Sequence, residues 1–270
     1  MASQIKFFNK NYIDLDKPNP VITITDSVAS NTGQDSVDLM RNRNNFSGWL
    51  TTGSTDAANT EILIELKDYM DVDFIELVKH NFKNYLIEYN DSISGWLTYI
   101  NVSNSTLETS IHEKDTAVNT NKIRITITGC QTVDADKELR QLIITSKLYQ
   151  FDGWPIIKKP VHSANKKISK MLSGKININK KRGAFTCSLK ITLTSNENDL
   201  LIHQDLYDRE EGTLMLITGG DEDQFTSLKK GYRNQDIVLV KPIDEYTNPY
   251  YKGLYRSGIE VEIDLAESIY

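Results

Sequence analysis

Apolar residues recur at every second position through most of this chain. Ile62, Ile64 and Leu66 alternate with polar residues, as do Ile123, Ile125 and Ile127. Phe185, Cys187, Leu189, Ile191 and Leu193 form a longer series, and Ile259, Val261, Ile263 and Leu265 another. A period of two is what a strand with one buried face requires, because successive side chains point to opposite sides. Further strands are expected near 21–24, 75–78, 85–89, 139–145, 214–217 and 237–240. Short strands separated by polar turns indicate β-sandwich architecture. One helix is expected over about 197–208. Ser195 or Asn196 can cap it, Glu197 and Asp199 lie in its first turn, and Leu201, Ile202 and Leu206 form its apolar stripe. Gly212 falls just past its end. The turn-like Phe151-Asp152-Gly153-Trp154-Pro155 divides the chain into residues 1–150, with an N-terminal arm over about 1–30, and residues 151–270.

Composition sharpens this division. The 270 residues are 39% apolar and 25% charged, as expected of a folded chain long enough for one or two domains. The net charge of −6 is uneven: residues 1–150 hold 14 Lys and Arg against 20 Asp and Glu, and residues 151–270 hold 17 of each. Between Gly153 and Asn196 there are ten basic residues and no acidic one. No apolar run reaches the roughly 20 residues needed to span a bilayer. The N-terminus lacks the continuous apolar core of a signal peptide, so synthesis and folding in a cytosol are expected.

Little points to catalysis. Cys130 and Cys187 form no Cys-x-x-Cys pair, and a buried reduced thiol is the expected state of Cys187, which shares a face with Phe185 and Leu189. His80, His112, His162 and His203 are scattered without metal-ligand spacing, and His80 reads as a turn residue. Asp68, Asp71 and Asp73 match no calcium loop and read as a solvated acidic turn. There is no nucleophile elbow, phosphate loop or dinucleotide fingerprint. No enzyme activity, cofactor or metal is expected.

The first half carries an ordered series of motifs. Phe46-Ser47-Gly48-Trp49-Leu50 precedes the strand ending at Leu66. His80-Asn81-Phe82, the Tyr85-Leu86-Ile87-Glu88-Tyr89 strand and Trp96 follow, and then Ile123-Arg124-Ile125-Thr126. This order resembles the discoidin, or coagulation-factor type C, family of galactose-binding-like jelly rolls over roughly residues 30–150. The resemblance implies loops that bind sugars or lipid head groups. Trp49, Trp96 and Tyr99 would then stack on a sugar, and Asn81 or Arg124 would hydrogen-bond its hydroxyls. The structural reading stands beside it, with Trp96 in the core and Arg124 paired to a carboxylate.

The second half differs. Lys158, Lys159, Lys166, Lys167, Lys170, Lys175, Lys180, Lys181 and Arg182 lack interleaved aromatics, so no direct nucleic-acid readout is expected. They form either a seam against an acidic neighbour, such as another copy of the chain, or a solvated loop. Tyr246, Tyr250, Tyr251 and Tyr255 either line an interface or cover the core. A strand pair, a helix, Gly219-Gly220, Gly231-Tyr232-Arg233 and a closing acidic strand resemble tail-tube-like and distal-tail proteins of bacteriophages. That resemblance implies a ring of identical copies in the tail of a virion made in a host cytoplasm. Its neighbours would be tail-tube, hub or tail-fibre proteins. The expected role is therefore a structural distal-tail or baseplate protein whose N-terminal jelly roll faces a tail protein or a host surface glycan. The alternative is a free carbohydrate-binding module or adhesin.

Overall fold

The computed structural model describes residues 5–16, 20–27, 32–42, 47–53, 55–56, 58–150, 156–170, 176–193, 197–209, 212–217, 237–246 and 259–267. The strands are β1 Ile5–Phe8, β2 Val21–Asp26, β3 Trp49–Leu50, β4 Thr60–His80, β5 Phe82–Asp91, β6 Gly95–Val102, β7 Ser110–Cys130 and β8 Glu138–Thr145. They continue with β9 Lys147–Gln150, β10 Ile156–Lys170, β11 Ile176–Leu193, β12 Thr213–Ile217, β13 Ile237–Pro242 and β14 Ile259–Glu267. A 3₁₀ helix spans Gln34–Arg41, and α1 spans Glu197–Asp208 where the apolar stripe places it. The fold is mainly β, with two antiparallel sheets. Among the described residues no helix is long and apolar enough to cross a membrane.

Residues 11–147 form one compact unit, and residues 1–10 with 148–270 form the other. The N-terminal arm is therefore shared out between them. β1 pairs with β12, Phe7 opposite Met215, whereas β2 pairs with β4, Ile22 opposite Ile64. Residues 1–10 leave the sequence-based first domain because Phe7 and Phe8 are fully buried in the second unit's sheet.

In the unit of residues 11–147, β4 and β7 each run 21 residues. They bend rather than end, with register breaks between Glu65 and Met70 and between Val72 and Phe74. The acidic segment read as a turn occupies this bend, and Asp73 is buried, accepting the Lys147 amide at 2.7 Å. Before the bend β4 lies between β2 and the far half of β7; after it β4 lies beside β8 and the near end of β7. The bend folds one sheet into two layers around a shared core. Ile62, Ile64, Ile87, Ile123 and Ile125 come from one layer, and Trp49, Ile75, Leu77, Leu142 and Ile144 from the other. Each such aliphatic side chain stabilises the fold by about 1.5–3 kcal/mol when fully buried.

The second unit's sheet runs β10-β11-β14-β13-β12-β1-β9. Ile202 and Leu206 of α1 join Phe7, Leu189, Ile191, Met215, Val240, Ile263 and Leu265 in its core. Cys187 is buried there as a free thiol, as the alternation predicts, and burial pushes its pKa up to about 12. Cys130 is buried and free as well.

Candidate functional site

The outer face of β4, β7, β5 and β6 carries the residues that alternate with the core. Arg124 on β7 lies opposite Leu63 on β4 and Glu88 on β5, and Asn90 on β5 lies opposite Trp96 on β6. The turn that delivers Trp96 is locally encoded. Asp91 Oδ1 accepts the amides of Ser94 at 2.7 Å and Ile93 at 3.0 Å, and Gly95 adopts φ 76°. An Asx turn followed by a left-handed glycine reverses the chain tightly. The Ser94 and Ile93 amides hold the Asp91 carboxyl below the usual carboxylate range.

Arg124 is fixed in place on this face. Its Nε donates to Glu88 Oε2 at 2.7 Å, its Nη2 lies 2.7 Å from the same oxygen, and its Nη1 is 3.9 Å from Glu61 Oε2. The guanidinium carbon sits 4.3 Å from the Trp96 ring centroid, a cation–π contact worth about 0.5–2 kcal/mol. Lys122 pairs with Glu65 at 2.5 Å on the same face. Three glutamates against two cations leave it close to neutral. Trp96 stays half-buried and Thr98 beside it is exposed, so the face presents an aromatic ring among fixed polar groups.

The other residues named from the sequence lie elsewhere. Trp49 is fully buried, packs in the sandwich core and donates Nε1–H to the Thr32 carbonyl at 2.9 Å, so it cannot stack on a ligand. Tyr99 is a core residue as well; burial raises its pKa, and Lys114 Nζ lies 5.1 Å from its ring centroid. Asn81 ties loops together: its amide donates to the Asp136 carbonyl at 2.7 Å, and its Oδ1 accepts the Glu138 amide at 3.0 Å. Asn81→Ala strands both partners and is expected to lower unfolding stability by about 1–3 kcal/mol, read from urea midpoints.

His80 is not a turn residue but the buried end of β4. Its Nδ1 accepts the Phe82 amide at 3.0 Å, which leaves Nε2 protonated and donating to Ser110 Oγ at 2.8 Å. Sequence reasoning missed this Ser–His pair because thirty residues separate its members. A serine–histidine contact suggests nucleophilic chemistry, but Ser110 is 4% exposed and the pair sits inside the sandwich, so its role is structural. Among the described residues no cluster of three or more His, Cys, Asp or Glu could hold a metal ion.

In the second unit, Tyr246 packs within its own chain, 5.2 Å from His203 and 5.5 Å from Tyr207 between ring centroids. Tyr250, Tyr251 and Tyr255 lie outside the described residues, as do Gly219-Gly220 and Gly231-Tyr232-Arg233. The basic stretch is an antiparallel hairpin of β10 and β11. Lys158 pairs with Ser188, Lys166 with Lys180, Lys167 with Asn179, Asn165 with Lys181 and Ala164 with Arg182.

No family model matches the sequence, and no curated protein matches it. Solved structures do resemble part of it. One is the family 32 carbohydrate-binding module from Streptococcus pneumoniae EndoD, at 13% identity and TM-score 0.40, covering 50% of this chain and 98% of that one. Chitosan-binding module 1 from a Paenibacillus sp. IK-5 chitosanase/glucanase is another, at 15% identity and TM-score 0.40, covering 51% and 100%. A third is the family 32 module of C. perfringens NanJ in complex with galactose, at 19% identity and TM-score 0.37, covering 46% and 93%.

Proposed function

We propose that residues 11–147 are a non-catalytic carbohydrate-binding unit whose contact surface is the outer face of β5, β6 and β7. The observation that carries this reading is Trp96, a half-buried indole held by Arg124 beside Glu88, Asn90 and Thr98. An aromatic ring packs against the C–H face of a sugar, and fixed carboxylate, amide and hydroxyl groups around it bond the hydroxyls. The Arg124 salt bridge holds Glu88, and its cation–π contact holds Trp96, before any ligand arrives, which lowers the ordering cost of binding. The near-neutral charge of the face favours uncharged over acidic sugars.

Trp96→Ala is expected to weaken glycan binding by at least about tenfold, or about 1.4 kcal/mol, with unchanged circular dichroism. Calorimetry on the strongest ligand of a glycan array measures it. An array that stays dark with the wild-type chain would sink the proposal, as would a Trp96→Ala chain that binds like wild type.

A second reading concerns the other unit, as a ring-forming structural component of a bacteriophage tail. One observation supports its self-association. Among the described residues β10 is an edge of its sheet, and the β14 partners on β11 are Thr186–Leu193, so β10 and β11 continue beyond the sheet as a two-stranded ribbon. A ribbon of that kind offers purchase to a neighbouring copy. Light scattering far above the mass of one chain, or rings in negative stain, is the expected result.

A further inference from the structure

We propose that the β10–β11 ribbon is an arm that docks on the acidic unit of a second copy of this chain. It rests on the assembly reading above and names the contact through which copies would meet. The ribbon consists of residues 161–170 of β10 and 176–185 of β11, which beyond Thr186 pair with each other and, among the described residues, with no further strand. Six cations lie at its register positions: Lys166, Lys167, Lys170, Lys180, Lys181 and Arg182. The sequence places no acidic residue anywhere between Gly153 and Asn196.

A long edge strand normally invites pairing with another strand, and lysines along it are a common means of preventing that. Pro160 adds to the effect, since it has no amide hydrogen to donate, and the register breaks between Lys158 and Val161. Strand addition is therefore a poor use of this edge. What the ribbon offers is a dense field of positive charge on an extended scaffold. Nucleic acid is a poor match, because no aromatic residue lies between Ser163 and Ala184 to stack on bases, and the whole chain carries −6.

The chain itself carries the complementary surface. Residues 11–147 hold 20 Asp and Glu against 12 Lys and Arg, a net charge of −8, while the remaining residues carry +2. The exposed acids Asp68 and Asp71 lie at the bend of β4 beside exposed Lys67, and exposed Asp115 lies at the bend of β7 beside half-buried Lys114, so acids outnumber cations there by three to two. Tyr69, 49% exposed, stands among them as an amphipathic contact residue. Ile168 and Ile178 are paired in register between the cations of the ribbon. A basic arm meeting an acidic shoulder is a heterologous contact, the kind that closes into rings or extends into filaments. Opposite charge at its two ends sets orientation and speeds encounter.

The test is sedimentation of the full chain across concentration and salt. Raising salt from about 50 mM to about 500 mM shortens the Debye length roughly threefold, and wild-type self-association should weaken at least about tenfold. Reversing the ribbon (Lys166→Glu, Lys167→Glu, Lys180→Glu, Lys181→Glu, Arg182→Glu) should weaken it by a similar factor. Reversing the shoulder (Asp68→Lys, Asp115→Lys, with Asp71→Asn) should do the same. Combining both sets should restore association to within about threefold of wild type, because the charges are complementary again. Salt-independent association, or a combined variant as weak as either single set, overturns the docking proposal and leaves assembly itself standing. A chain that is monomeric under all conditions overturns both. Binding to a DNA duplex with no self-association also overturns the proposal. The wild-type salt series needs no variant, so a misfolded variant does not spare the idea.

Discussion

Trp49→Ala is expected to unfold residues 11–147 under mild conditions rather than to weaken a surface contact. Trp49 is fully buried and packs among Met40, Leu139 and the other core residues of the sandwich. Removing a buried tryptophan costs about 3–5 kcal/mol through lost burial and the cavity left behind. The Thr32 carbonyl loses its indole donor as well, which adds about 1 kcal/mol. A domain of this size has about 5–15 kcal/mol of stability in total, so most of it would go. Gly33 supplies an independent variant. It adopts φ 70°, and a Cβ there would meet the Leu50 carbonyl oxygen at 2.1 Å and Trp49 Nε1 at 2.9 Å. Gly33→Ala should destabilise the unit in the same direction, since neither the backbone nor the indole has room to yield. Urea unfolding followed by circular dichroism, with amide exchange to assign the loss to β4–β8, measures both variants. A Trp49→Ala chain with a wild-type midpoint would mean that the indole is not the centre of this core.

Trp49 and Trp96 also mark how far the sequence could be read. Each sits in the same tetrapeptide, Ser47-Gly48-Trp49-Leu50 and Ser94-Gly95-Trp96-Leu97, so no local rule separates them. The fold does. Gly48 lies against the backbone of β8, where a Cβ would meet Arg140 Cα at 2.6 Å, and this close approach seats Trp49 inward. Gly95 has nothing within 4 Å and only turns the chain, leaving Trp96 on the outer face. What was legible came from strict alternation: residues 186–191 of β11, residues 261–265 of β14, the far half of β7 and the first half of β4 each have one buried face. The apolar stripe of α1 was equally plain. β10 was not legible, because its lysines and Pro160 leave no apolar period. The continuity of β4 was hidden because Asp68, Asp71 and Asp73 look like a turn, yet a bend in a long strand needs the same residues. The pairing of β1 with β12 joins residues more than two hundred positions apart, and four residues of Ile-Lys-Phe-Phe carry no mark of their partner.

Acidification from about pH 7 to pH 4 is expected to strip stability from residues 11–147 through two histidines that the fold keeps neutral. His80 is fixed by the Phe82 amide and Ser110, and Tyr85 Oη lies 3.0 Å from His112 Nε2. The rings pack together as well, the His80 centroid lying 5.0 Å from that of Phe82 in a tilted contact and 5.6 Å from that of Tyr85 edge to face. Burial, with a smaller contribution from His112, lowers the His80 pKa from 6.5 to about 4, and burial lowers that of His112 to about 4. The unfolded chain takes up these protons near pH 6.5, whereas the folded chain resists until about pH 4. Between those values the unfolded state binds more protons. The stability is therefore fully present above about pH 6.5, falls as pH falls, and is lost by about pH 4. His80 alone accounts for about 3 kcal/mol of this change. The Asp73 carboxyl, which burial raises above its usual value, works in the opposite direction. His80→Gln keeps a group able to accept from Phe82 and donate to Ser110 but cannot take up a proton. It should be less stable than wild type near pH 7 and should show a clearly shallower loss towards pH 4. Urea midpoints measured at half-unit pH steps give both slopes. Parallel slopes for the two chains would show that His80 does not carry the acid sensitivity, and a flat wild-type profile would show that neither imidazole does.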